Sequence, residues 1–110
     1  MFRFAVPPSI LPFHFARSLD QGEVAQLQCI VSTGDTPLSI TWAFHGKDSS
    51  TRTQTGVTIT KIGSKTSLLT MESVSQENAG SYTCQVSNKA GTANYTAELV
   101  VNGEHEFLST

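Results

Sequence analysis

Cys29 and Cys84 are the only cysteines in the chain, and Trp42 stands between them. No other feature constrains the fold as much. Two cysteines 55 positions apart lack the clustering and histidine companions of a zinc site, and they lack the close spacing of a redox pair. A structural Cys29–Cys84 disulfide is the better reading. In the loop-entropy account such a bridge removes roughly 4 kcal/mol of chain entropy from the unfolded state, and it implies an oxidising compartment. The position of Trp42 lets its indole pack on a bridge between two sheets. Tyr82, two residues before Cys84, suits a tyrosine that bonds back to the backbone at a strand corner.

The hydrophobic period around these residues is two, which selects strands over helices. Over 24–31, Ala25, Leu27, Cys29 and Val31 share one face; over 38–44, Leu38, Ile40, Trp42 and Phe44 do the same. Gly34-Asp35-Thr36-Pro37 makes the turn between them. Val57 to Lys61 reads as a third strand, Gly63-Ser64 as a turn, and Ser67 to Met71 as a fourth strand with Leu69 and Met71 inward and Leu68 outward. After a break at Glu77-Asn78-Ala79-Gly80, Tyr82, Cys84 and Val86 share one side of the run from Ser81 to Ser87. A hairpin at Lys89-Ala90-Gly91 leads to a last strand from about Thr92 to Val101, with Ala97, Leu99 and Val101 inward. Ile10 to Phe15 reads as an edge strand, where Pro12 is tolerated. The expected fold is an all-β, two-sheet sandwich with Trp42, Tyr82 and Leu69 in its core.

At 110 residues the chain fits one domain. Seven basic against nine acidic residues give a net charge of −2, without the basic excess that binding a phosphate backbone requires, so nucleic acid is not an expected partner. Charged residues are only 15 % of the chain, so Ser, Thr, Gln and Asn must cover most of its surface. The three histidines, His14, His45 and His105, fall on an edge strand, a strand end and a tail, with no partner spacing for catalysis. The acidic residues are dispersed and form no calcium-loop pattern. An enzyme, a metal site and a cofactor are therefore not expected. No run is long and apolar enough to cross a membrane, and Met1 to Val6 lacks the apolar core of a secretory leader. The expectation is a module from a longer extracellular protein, with residues 1–6 as an extension, 7–102 as the domain and 103–110 as linker or tail.

Together, Cys29, Trp42, Tyr82 and Cys84 resemble the immunoglobulin superfamily. The run Leu69-Thr70-Met71, Val74 and Asn78 to Gly91 is similar to the I-set of cell-adhesion receptors. The short stretch between Trp42 and Ser67 leaves little room for the additional strands of an antibody-type variable domain, which also favours the I-set plan. The family usually carries Asp where this chain has Asn78, and that Asp pairs with a basic residue. Here a weaker local tie and an unchanged fold are expected. Three further segments are similar to arthropod Dscam (Down syndrome cell adhesion molecule) proteins: Val6 to Phe15, Gly22 to Cys29 and Lys61 to Leu69. The likeness is greatest to their isoform-variable seventh immunoglobulin domain, or the equivalent first domain of shortened forms. That resemblance implies homophilic recognition between cells, by antiparallel docking of an identical domain through the sheet made by the strands at 10–15 (A), 24–31 (B), 67–71 (E) and 57–61 (D).

The complement of the buried set gives the outward residues of each sheet. On the A-B-E-D sheet they are Leu11, His14, Gln26, Gln28, Ile30, Thr58, Thr60, Ile62, Leu68 and Thr70, a mixture of apolar and uncharged polar groups. On the sheet made by the strands at 38–44 (C), 81–87 (F) and 92–101 (G) they are Ser39, Thr41, Ala43, His45, Thr83, Gln85, Ser87, Asn94 and Thr96, with less apolar area. Asn94-Tyr95-Thr96 is the one glycosylation sequon, and a glycan there obstructs the second face. Scattered exposed apolar residues also occur on any protein surface. The rival reading is an immunoglobulin domain that binds a different protein or serves as a spacer in a multi-domain ectodomain. A cytosolic muscle-filament module would keep its cysteines reduced.

Overall fold

The computed structural model describes residues 4–46 and 56–103. Within them the period-two segments become seven strands: β1 (Ser9–Ile10), β2 (Ala25–Thr33), β3 (Ser39–Gly46), β4 (Val57–Ile62), β5 (Thr66–Met71), β6 (Gly80–Asn88) and β7 (Gly91–Leu99). A 3₁₀ turn over Gln76–Asn78 precedes β6. The strands form two sheets, ordered β1-β2-β5-β4 and β3-β6-β7, and every strand pairing within them is antiparallel. His105 and the tail from residue 104 lie outside the described residues.

Alternation decides which side of each strand is buried. Ala25, Leu27, Cys29 and Val31 of β2 point into the sandwich, while Gln26 and Gln28 point to solvent. Ser67, Leu69 and Met71 of β5 face them, and Tyr82, Cys84 and Val86 of β6 close the core from the other sheet. Each such aliphatic side chain withdrawn from water contributes about 1.5–3 kcal/mol. The Cys29–Cys84 disulfide joins the sheets at their centre. Trp42 is half-buried beside it, as the register partner of Cys84, with its ring edge-on to Phe13 at 5.7 Å.

Tyr82 forms the expected corner: its hydroxyl donates to the carbonyl of Asn78 at 2.6 Å. Asn78 is buried, and its side-chain oxygen accepts from the backbone N–H of Ser75 at 2.8 Å, capping its own turn where the family usually places a carboxylate. Gly80 begins β6 at φ +146°, and a Cβ there would collide with the carbonyl oxygen of His45. Glycine is what allows β3 and β6 to meet at that end.

Three details depart from the sequence reading. The edge strand expected over Ile10 to Phe15 is paired only at Ser9–Ile10, followed by one bond from Leu11 N to Ile30 O. Pro12 has no N–H to continue the ladder, so the chain leaves the sheet and turns Phe13 and Phe15 inward against Tyr95 and Tyr82. The last strand ends at Leu99; Val101 is buried instead by a parallel bridge to Leu19. Ile59 shares the inward parity of Val57 yet is 54 % exposed, because β4 is the sheet edge among the described residues and lines the gap beside Trp42 and Phe44.

Candidate protein-binding face

Register turns the outer face of β2, β5 and β4 into three cross-strand rows. Gln26, Thr70 and Thr58 form the first; Gln28, Leu68 and Thr60 the second; Ile30, Thr66 and Ile62 the third. Thr66 belongs to this lattice although the sequence reading began the strand one residue later, at Ser67. Its parity with Leu68 and Thr70 was the signal. Gln26, Gln28, Thr58, Thr60 and Ile62 are exposed, whereas Ile30, Leu68 and Thr70 are half-buried between neighbouring strands. None of the nine side chains carries a charge.

Leu11 and His14 flank these rows from the segment beyond β1, and both are exposed. Where Pro12 takes the chain away from β2, an open groove of about 410 Å³ remains, lined by Leu11, Pro12, His14, Gln26, Gln28 and Ile30. Leu11 is 44 % and Ile62 48 % exposed, so exposed apolar surface stands beside the rows at Leu11 and within the third row at Ile62. All ten expected outward residues of this sheet thus lie on or beside one surface.

The opposite face is organised differently. Ser39, Thr41, Ala43, His45, Gln85, Asn94 and Thr96 are exposed, with Thr83 and Ser87 half-buried. Its hydroxyls bond across strands: Thr83 with Thr96 at 2.7 Å and Ser87 with Thr92 at 3.0 Å, while Ser81 donates to Glu98 at 2.9 Å. A partner would have to break or bypass these pairs, and no large exposed apolar side chain stands among them.

An exposed ion pair, Arg17–Glu23, stands at the turn before β2. Arg17 donates two hydrogen bonds to Glu23, at 2.9 and 3.2 Å, and the backbone N–H of Asp20 adds a third at 2.8 Å. Together they hold the Glu23 carboxyl down at about 2, the Arg17 bonds contributing most. At the other end of the sandwich, Asn88 donates from its side chain to the carbonyls of Val6 and Asp35, at 2.8 and 3.0 Å, tying the entering chain to the β2–β3 turn. Among the described residues no three His, Cys, Asp or Glu side chains cluster as metal ligands, and no helix is long and apolar enough to cross a membrane.

The sequence matches the family model described as "Immunoglobulin I-set domain" over residues 9–101. It is 40 % identical over 98 residues to the cell adhesion molecule Dscam1 of Drosophila melanogaster, an alignment that covers 88 % of this chain and only 5 % of that protein. The crystal structure of the Dscam1 Ig7 domain, isoform 9, is similar with a TM-score of 0.77 and 39 % identity, over 87 % of this chain and 100 % of that one. An I-band fragment of titin, I67-I69, is similar with a TM-score of 0.72 and 34 % identity, over 87 % of this chain and 32 % of that fragment.

Proposed function

The chain belongs to the immunoglobulin I-set family as a Dscam-like cell-adhesion domain, and on that premise we infer that it recognises an identical domain on an opposing cell. The docking is antiparallel and uses the outer face of β1-β2-β5-β4. One observation carries this reading: the nine-residue lattice is uncharged, with exposed apolar surface at its own Ile62 and at the adjoining Leu11, whereas the opposite face pairs Thr83 with Thr96 and Ser87 with Thr92 within the sheet.

In a two-fold contact, residues near the axis meet their own copies, and like charges there repel. The middle row suits such an arrangement. Gln28 can donate to and accept from its copy, Thr60 likewise, and Leu68 gains apolar contact with another Leu68. Leu11, Ile30 and Ile62 extend the apolar area around that row, and His14 and Gln26 complete the rim. The charged Arg17–Glu23 pair stays outside the lattice, at the turn before β2.

A heterophilic or spacer role is the rival, because the same fold also occurs, at 34 % identity, in an I-band fragment of titin. Sedimentation equilibrium from micromolar to millimolar protein separates the two. Wild type is expected to dimerise, Leu68→Glu to remain monomeric, and Thr41→Glu on the opposite face to dimerise like wild type. A wild type that stays monomeric throughout transfers the assignment to the heterophilic or spacer role.

A further inference from the structure

We propose that Asn94 carries an N-linked glycan, and that this sugar shields the outer face of the β3-β6-β7 sheet and its β7 edge, which has no ladder partner among the described residues beyond β6. The proposal rests on the extracellular reading of the chain but not on homophilic docking. Asn94-Tyr95-Thr96 satisfies the acceptor rule, and the strand supplies what the motif alone does not. Alternation along β7 turns Tyr95 inward onto Phe13, with ring centroids 4.9 Å apart, so Asn94 and Thr96 both project to solvent. Asn94 sits opposite Gln85, near the middle of β7.

That strand is a sheet edge. Among the described residues β6 is its one hydrogen-bonded sheet neighbour, while β1 and Phe13 pack along its other side without a ladder and Leu19 bridges to Val101 beyond Leu99. An unpaired edge invites strand addition by another chain, and proteins blunt it with lysine, proline, bulges or a cover. From Gly91 to Leu99 there is neither lysine nor proline. The single charge, on Glu98, accepts from Ser81, and the pairing with β6 runs unbroken from Gly80–Leu99 to Asn88–Gly91. β1 and Phe13 cover this edge by packing alone, and a bulky, hydrated oligosaccharide at mid-strand adds steric exclusion from the solvent side.

The donor is a lipid-diphosphate-linked oligosaccharide. The Asn94 side-chain nitrogen attacks the anomeric carbon of the first sugar; the N–C bond forms, the C–O bond to the diphosphate breaks, and the diphosphate leaves on its lipid. The amide proton passes to the transferase and on to the leaving group. In the folded domain the Thr96 hydroxyl is bonded to Thr83 and the β7 backbone is held in the ladder. Transfer therefore precedes the pairing of β7 with β6.

The test is secretion of the 110-residue chain behind a cleavable leader from eukaryotic cells, followed by intact-mass measurement and peptide mapping. Wild type and Thr96→Ser are expected to show a glycan mass increment at Asn94 that peptide N-glycosidase removes; Asn94→Gln and Thr96→Val are expected to lack it. A secreted, folded wild type with Asn94 unmodified overturns the site. At high concentration, enzymatically deglycosylated wild type and Thr96→Val are expected to aggregate several-fold faster by light scattering than the glycosylated chain. Equal rates overturn the capping role. A glycosylated wild type that stays monomeric at millimolar concentration contradicts homophilic docking alone and leaves this assignment standing.

Discussion

The indole N–H of Trp42 donates to the hydroxyl of Ser67 at 2.9 Å, in the same layer as the disulfide. Trp42 is the register partner of Cys84, and Ser67 is the register partner of Cys29. Two strand pairings, one S–S bond and one hydrogen bond thus close a ring of four residues through the centre of the sandwich. Ser67 is buried, so the indole N–H finds its partner where water does not readily replace it.

Ser67→Ala leaves the Trp42 N–H unpaired in that layer. The expected cost is about 1–3 kcal/mol, the usual penalty for an unsatisfied, partly buried donor. Urea unfolding followed by the fluorescence of Trp42, the only tryptophan, measures it. The midpoint is expected to fall with the slope unchanged, because the surface exposed on unfolding is the same.

Tyr82→Phe removes the 2.6 Å bond to the Asn78 carbonyl and is expected to cost a similar ~1–3 kcal/mol. Burial raises the Tyr82 hydroxyl well above its ordinary value of 10.0, against the opposing effect of the Asn78 bond. The folded chain therefore holds this proton more tightly than the unfolded chain. Stability from Tyr82 is fully present below pH 10.0 and falls as pH rises beyond it, toward the raised folded value. Unfolding free energies measured across the alkaline range are expected to decline less steeply in Tyr82→Phe than in wild type.

Gly80→Ala sets a Cβ against the carbonyl oxygen of His45, at a backbone angle of φ +146° that L side chains rarely adopt. The β3–β6 pairing at Gly46–Gly80 must open to accommodate it. Strain and a lost ladder bond together are expected to cost more than about 3 kcal/mol. Thermal unfolding checks this, with Gly22→Ala as a comparison, since a Cβ at Gly22 has nothing within 4 Å.

Glu23 is expected to titrate near 2 in the folded chain, below its ordinary 4.5, because Arg17 and the Asp20 N–H bond its ionised form. The sign follows from linkage: this carboxylate favours the fold above pH 4.5, and its contribution is lost as pH falls from there toward 2. The pair is exposed, so salt screens it and its effect on overall stability is small. Carboxyl carbon shifts report it directly. Arg17→Ala is expected to move the Glu23 titration upward toward 4.5.

The core was legible in the sequence because burial in a strand leaves a period of two, and Leu27, Cys29, Trp42, Leu69, Tyr82 and Cys84 all follow it. The outer face followed as its complement, since each strand has only two sides. Residues whose placement depends on a partner far along the chain were harder. Ser67 reads as a small polar strand residue until Trp42 is brought against it, and Tyr95 reads as an ordinary strand aromatic until Phe13 turns inward after Pro12. Ile59 shares the inward parity of Val57 but belongs to an edge strand, where among the described residues one side of the strand has no paired neighbour. Parity gives the side of a sheet; it does not give the depth of cover.

The central claim, that the β1-β2-β5-β4 face docks on its own copy, is tested most directly by NMR spectra of the isotope-labelled domain as unlabelled domain is added. The account predicts concentration-dependent shifts at Gln26, Gln28, Thr60, Leu68 and Thr70, with Thr41, Gln85 and Thr96 unmoved. Spectra that do not change up to millimolar protein, or shifts confined to β3, β6 and β7, would contradict it.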